Sequence, residues 1–163
     1  MHYRLAIFFD PNLVDVTDSN IQGKTNLTDY IWSMIYKFHC ENAMYPNPDL
    51  FDSWKIGGVW TNDVEDPSII TAEELLTSYS SGNNIAKLEI PLTMDEIDLD
   101  NVMCPFLSFI GTDKKLHFNS SSSLFQNFED MNGFDNNIHE SFRRDLHDAY
   151  EYGDSIVILD MHR

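Results

Sequence analysis

The end of the chain constrains the fold most, because a stretch with helical periodicity leads directly into a short apolar run. Residues 138–152 place four large apolar or aromatic side chains on one stripe at helical spacing: Ile138, Phe142, Leu146 and Tyr150. Gly153 follows and is typical of a helix end. Residues 156–159 are all aliphatic and lie between two aspartates, which predicts a strand that is buried on both faces.

A strand is also predicted at the start of the chain, over residues 3–9, which are aromatic and branched in loose alternation. A second main helix is predicted over 26–43, with Thr25 or Asn26 as its cap. A chain that begins and ends in strands and packs two helices on them is typical of the α+β class. We therefore predict one domain, residues 1–163, with a mostly antiparallel sheet and two main helices packed on it.

Shorter elements are predicted between these. Thr71 and Glu74 have capping-box spacing and predict a helix to about Ser80. Residues 105–110 and 115–118 flank a Gly-Thr-Asp-Lys turn and predict a hairpin, and 85–90 predicts a short strand. The paired glycines between Trp54 and Trp60 predict a tight backbone bend under large rings.

The composition indicates a folded chain in spite of its charge. Hydrophobic residues make up 42% and aromatic residues 13% of the 163 positions, which is too rich for a disordered acidic chain. No signal peptide or membrane-spanning run is recognisable, so we expect a cytoplasmic protein. Cys40 and Cys104 lack metal-site spacing and are expected to be reduced, partly buried thiols.

Residues 47–60 resemble a motif of small uncharacterised phage and bacterial proteins, in which an Asn-Pro turn and an aromatic segment precede Ile-Gly-Gly-Arg-Trp. Residues 106–118 weakly resemble a downstream hairpin of that family, and Asp160-Met161-His162 resembles its closing Asp-x-His strand. The resemblance implies a phage or mobile-element origin and a shared fold. Val59 stands where the family has arginine, so an anion contact made by that arginine would be lost here.

The charge indicates the class of partner. With 27 acidic and 10 basic residues the formal net charge is −17, which repels nucleic acid and anionic membranes and attracts basic protein surfaces. The acids cluster in three places: Asp63, Glu65 and Asp66; Glu73 and Glu74; and Asp95, Glu96, Asp98 and Asp100. The last group lacks the glycine and the twelfth-position glutamate of an EF-hand. The clusters either imitate the phosphate spacing of nucleic acid or keep the protein soluble.

Two further groups of side chains are candidate sites, one for a metal or acid–base chemistry and one for phosphate. Asp160 and His162 share a strand face, as metal ligands or an acid–base pair would require. His147 and Glu151 share a helix face and would complete a metal site with them. The alternative is that His147 and Glu151 form a solvated contact on the helix surface. Five basic residues would form a phosphate-binding island, unless its arginines pair with acids four positions away: Lys114, Lys115, His117, Arg143 and Arg144. We assign no catalytic residue, metal or cofactor from these patterns.

The sequence thus favours a non-enzymatic, phage-encoded binding protein in the host cytoplasm. It would place acids of 63–100 on a basic surface of a host nucleic-acid-handling or defence protein, without contacting nucleic acid or membrane. The alternative is a protein that sequesters or cleaves a cyclic or linear nucleotide, with Trp54 or Trp60 stacked on the base and Arg143 and Arg144 on phosphate. A structural virion role and a homodimer both stay open.

Overall fold

The computed structural model describes residues 1–44, 47, 49–57, 68–80, 103–119 and 138–163, with the backbone alone at 77–80. Its elements in chain order are β1 (His2–Phe9), β2 (Val14–Asp15), β3 (Thr25–Asn26), α1 (Leu27–Ile35) continued by a 3-10 turn (Tyr36–Phe38), β4 (Ser53–Ile56), β5 (Ile69–Thr71), α2 (Ala72–Ser80), β6 (Ser108–Ile110), β7 (Leu116–Phe118), α3 (Ile138–Tyr152) and β8 (Ser155–His162). No helix in these ranges is both long and apolar enough to cross a membrane.

The two ends of the chain meet in the middle of the sheet. Strands β1 and β8 pair antiparallel along their whole length, from His2 opposite His162 to Phe9 opposite Ser155. The sheet order is β4-β8-β1-β6-β7, with β5 also paired to β8. Among these pairings only β1 with β6 is parallel. The predicted α+β class with a mostly antiparallel sheet is confirmed.

Alternation along the central strands divides the core between the two faces of the sheet. Leu5 and Ile7 of β1 face α1, whereas Ala6 and Phe8 face α2 and α3. Residues of β8 follow the same alternation, so both faces of these strands are buried. The strand prediction for 156–159 is confirmed, and the apolar faces of three helices cover it.

Several local predictions are confirmed by the backbone and its caps. Helix α3 spans the predicted 138–152, and Gly153 follows it at φ +74. The capping box is present: the Glu74 amide donates to Thr71 Oγ1 at 3.0 Å, and the Thr71 amide donates to Glu74 Oε2 at 2.8 Å. The hairpin is present as β6 and β7. The predicted strand at 85–90 lies outside the described residues.

Helix α1 is shorter than predicted and is capped differently. It ends at Ile35, because after the 3-10 turn the chain pairs with a later segment: the Cys40 amide donates to Phe51 O at 2.8 Å. Asn26 occupies the N-cap position but makes no side-chain cap bond. The carboxylate of Asp18, in the preceding loop, instead accepts from the Thr28 amide at 3.1 Å.

The segment predicted as a bend is mainly a strand. Residues of β4 pair with β8, and the turn lies at Gly57, where φ is +80 and an added Cβ would lie 2.7 Å from Ser68 Oγ. Trp54 stacks on Trp32 of α1 at 6.4 Å between ring centroids. The second tryptophan of the segment, Trp60, and Val59 lie outside the described residues.

Candidate functional site

The acids predicted to bind a partner lie outside the described residues, and so does one of the two candidate stacking tryptophans. This applies to Asp63, Glu65, Asp66, Asp95, Glu96, Asp98, Asp100 and Trp60.

The structure does not bring Trp54 and the two arginines together. Trp54 lies on β4, at one edge of the sheet, and packs against the core under α1. Arg143 and Arg144 lie on α3, which packs on the other face, and Arg144 pairs with Asp145, which lies 3.9 Å from His117 of β7. A single ligand held by Trp54 and this arginine pair is therefore inconsistent with the fold.

Asp160 and His162 share a face, as predicted, but each pairs with a different residue. Asp160 is buried, and both of its carboxylate oxygens accept from His2 Nδ1, at 3.1 and 3.2 Å. His162 Nδ1 donates to Asp52 Oδ1 at 2.7 Å, which lowers the pKa of Asp52. The two imidazoles meet edge to face at 4.8 Å.

His147 and Glu151 take no part in that arrangement. Both side chains are about half exposed on α3 and lie 4.0 Å from each other. This is the solvated helix-surface contact that the sequence offered as the alternative. The four residues do not form a metal site.

A pocket of about 340 Å³ lies beside the His2–Asp160 pair, where β4 runs along β8. Register places Lys55 directly opposite Asp160. The pocket is lined by His2, Ser53, Trp54, Lys55, Asp160 and His162. The segment before the glycines and the closing Asp-x-His thus lie on neighbouring strands, β4 and β8, that line one pocket.

A second cluster lies at the opposite edge of the sheet and consists of Asp113, His117 and Asp145. We call it the Asp–His–Asp cluster. Asp113 belongs to the turn between β6 and β7, His117 to β7, and Asp145 to α3. His117 Nε2 donates to the Asp113 carboxylate at 3.1 and 3.2 Å and lies 3.9 Å from Asp145 Oδ2. One ligand atom from each residue lies within 4.8 Å of the others, and no other described group of three does so.

The imidazole of His117 is held in place by the hairpin. Phe109 is its partner across the two strands and stacks on it, with centroids 4.7 Å apart and planes at 15°. The stacking face is thereby occupied, and the Nε2 edge is directed at the two carboxylates. The stacking therefore keeps His117 Nε2 directed at Asp113 and Asp145.

Asp145 is the unusual member of the cluster because it is a carboxylate in the buried face of a helix. Its side chain is 2% exposed, and burial and then the neighbouring Asp113 charge raise the pKa of its carboxyl. Oδ1 accepts from Arg144 Nε at 3.3 Å, whereas Oδ2 has no hydrogen-bond partner within the described part of the chain. A buried acceptor without a donor costs roughly 1–3 kcal/mol.

The two carboxyls of the cluster differ in environment. Burial raises the pKa of Asp113, but hydrogen bonds from the Lys115 amide and from His117 outweigh it, so the pKa lies below its usual range. About a third of the Asp113 side chain is exposed. The cluster therefore opens to solvent on the Asp113 side and is closed on the Asp145 side.

The predicted basic island is only partly present. The fold does bring the hairpin that bears His117 against the helix that bears Arg144, but acids lie at their junction. Arg144 pairs with Asp145 rather than with an acid four positions away, and Lys114 and Lys115 are exposed. His117 and Arg144 both contact these acids.

The cysteines fit the predicted thiols. Both Cys40 and Cys104 are free and partly buried. Burial raises the pKa of Cys104 to about 12, and burial followed by the charges of Asp49 and Asp52 raises the pKa of Cys40. A nucleophilic cysteine requires a lowered pKa, so neither thiol is activated.

Comparison with family models, with curated proteins and with solved structures gives no match.

Proposed function

We propose that this protein is a non-enzymatic binding protein of a phage or mobile element that occupies a basic surface on a host nucleic-acid-handling or defence protein. The net charge of −17 is the observation that supports it. Carboxylates in such number steer association with Lys- and Arg-rich surfaces and disfavour nucleic acid and anionic membrane as direct partners.

The charge is concentrated along the chain, which supports a dedicated surface over a general solubility effect. Residues 63–100 hold ten of the 27 acidic residues and one of the ten basic residues, a net charge of −9 out of −17 on 38 positions. The other 125 positions share seventeen acids and nine bases, so their negative charge per residue is much lower. The residues we propose as the contact, Asp63 to Asp100, belong to this acidic range.

Charge reversal tests this function against a matched control. Asp95, Glu96 and Asp98 are changed together to lysine, and the control changes Glu41, Asp148 and Glu151, which are at least partly exposed in the described structure, to lysine. Both variants alter the net charge equally. We expect the first to lose a host protein captured from lysate at low salt, by at least tenfold, and the second to retain most of it.

The captured proteins are identified by mass spectrometry after elution with salt. A nucleic-acid-binding or defence protein that high salt releases supports the proposal. Capture that neither salt nor the Asp95–Glu96–Asp98 reversal weakens would contradict it, because a contact built on carboxylates is screened by ions.

A second candidate function, sequestration or cleavage of a nucleotide, is favoured by the pocket beside β4. Its volume of about 340 Å³ falls within the range of roughly 300–1,000 Å³ that is usual for small-ligand sites. Trp54 offers a ring for a base, and Lys55 and His162 offer donors for phosphate. In this version the phosphate contacts come from the strand edge and not from Arg143 and Arg144.

Thermal denaturation across a panel of linear and cyclic nucleotides tests this second function. A ligand that binds only the folded protein raises the melting temperature. We expect a rise that Lys55→Ala abolishes and that Lys115→Ala, which removes an exposed lysine outside the pocket, leaves intact. If no nucleotide raises the melting temperature at millimolar concentration, this function is excluded.

A further inference from the structure

We propose that Asp113, His117 and Asp145 bind one divalent transition-metal ion at the edge of the sheet. The sequence patterns assigned no metal to these residues, and the inference is independent of the proposed partner. It rests on three features of the Asp–His–Asp cluster: the convergence of its ligand atoms, the buried Asp145 oxygen that accepts no hydrogen bond among the described residues, and the way in which neighbouring residues fix the side chains.

The spacing of the ligand atoms is close to that of a coordinated ion. Ligands at 2.0–2.1 Å from a tetrahedral zinc ion lie about 3.3 Å apart. In the cluster, His117 Nε2 lies 3.1 Å from Asp113 Oδ2 and 3.9 Å from Asp145 Oδ2. Since all three atoms lie within 4.8 Å of one another, small rotations of the carboxylates bring them to coordination distance.

Asp145 Oδ2 supplies the second, independent observation. It is fully buried, accepts no hydrogen bond from any residue that the structure describes, and faces the imidazole nitrogen that the Asp113 carboxylate also faces. A lone carboxylate oxygen in such a position is unfavourable unless a cation or donor completes it. A metal ion between the three groups would satisfy this oxygen and relieve the repulsion between the two aspartates.

The surroundings resemble an outer shell that orients ligands. Arg144 and Thr112 hold Asp145 Oδ1 at 3.3 and 3.4 Å, so that Oδ2 is the oxygen left to face the cluster. Phe109 fixes the ring of His117. Outer contacts of this kind set the direction of first-shell ligands in metal proteins.

The donor set selects the class of metal. Two carboxylates and one imidazole suit Zn²⁺ or Mn²⁺, whereas Mg²⁺ and Ca²⁺ favour sites made of oxygen alone. Three protein ligands leave at least one position for water, and the exposed third of Asp113 gives the ion a route from solvent.

Isothermal titration of the full chain with Zn²⁺, and separately with Mn²⁺, tests the site. We expect one ion per chain, unaffected by millimolar Mg²⁺ or Ca²⁺. Asp145→Asn, which keeps the shape of the side chain, should lower the affinity by at least about 100-fold, as should His117→Gln. Asp148→Asn is the matched control, because Asp148 lies on the same helix with its side chain 46% exposed.

A measurement on the unaltered protein covers the case in which a variant does not fold. The imidazole ¹⁵N signals of His117 should shift at one equivalent of Zn²⁺, and bound Co²⁺ should show a visible band that Zn²⁺ displaces. Unmoved His117 signals would overturn the proposal. So would an equal loss of affinity in Asp148→Asn and Asp145→Asn, which would indicate general attraction to an acidic surface.

Discussion

Replacing Phe142 with alanine is expected to lower the free energy of unfolding by about 3–5 kcal/mol, among the largest single effects in this chain. Phe142 is fully buried on α3 and meets three other rings edge to face, at centroid distances of 5.5–6.2 Å: Phe8, Phe106 and Phe109. These rings join β1, β6 and the helix. Truncation leaves a cavity where three elements converge, and the surrounding strands cannot close it.

Urea denaturation of the full chain measures this effect. We expect the melting temperature to fall by roughly 10 °C in parallel. Phe142→Leu, which keeps most of the volume, should cost much less, and Tyr152→Ala near the exposed end of the same helix should cost little, because Tyr152 is 79% exposed. A loss below about 1 kcal/mol for Phe142→Ala would mean that α3 is not fixed to the sheet as the structure places it.

The parts of the fold that the sequence predicts are those decided by local periodicity. The stripe of α3 has Ile138, Phe142 and Leu146 at spacings of four, and the structure buries all three. The apolar run of β8 requires cover on both faces, and the sheet lies between α1 and the α2–α3 pair. In these segments the hydrophobic pattern and the tertiary contacts favour the same structure.

Strand order depends on contacts between distant residues and could not be predicted in the same way. Nothing in residues 3–9 indicates that β1 pairs parallel with β6, about a hundred positions later. Likewise a glycine pair follows Ser53–Ile56 and favours a bend, but hydrogen bonding to β8 holds these residues in a strand. Long-range pairing overrides the local preference of such short segments.

The Asp–His–Asp cluster was missed for a similar reason, although one signal was present in the sequence. Asp145 lies between Phe142 and Leu146 on the stripe that packs against the sheet, and charged residues are rarely buried there without a partner. An acid on the apolar face of a helix with strong hydrophobic periodicity is therefore a candidate site. Its partners could not be named, because the 31 residues between Asp113 and Asp145 give no register between hairpin and helix.

The buried carboxylate also shapes the backbone around it. Gly111 lies against Asp145: a Cβ built on this glycine would lie 1.8 Å from Asp145 Oδ2 and 2.9 Å from its Cγ. The glycine is not needed for a left-handed backbone angle, since its φ is not among the positive ones. It is needed because a carboxylate occupies the place of its side chain.

Gly111→Ala is therefore expected to destabilise the protein by about 1–3 kcal/mol, the usual cost of overpacking a filled site. The added methyl group has to displace the buried carboxylate of Asp145, because Oδ2 lies 1.8 Å from the position of the new Cβ. The same displacement should weaken Zn²⁺ binding, because Oδ2 would no longer face His117. Urea denaturation measures the first effect and titration the second.

A double-mutant cycle separates this clash from any other effect of the alanine. Asp145→Ala removes the carboxylate, so Gly111→Ala should cost far less in that background than in the unaltered chain, with a coupling energy of about 1–3 kcal/mol. Asp113 Oδ1 does not prevent this, because it belongs to a partly exposed side chain that can move. If Gly111→Ala costs the same in both backgrounds, the carboxylate of Asp145 does not lie against the glycine. The cluster would then lack the packing that directs Asp145 Oδ2 towards His117.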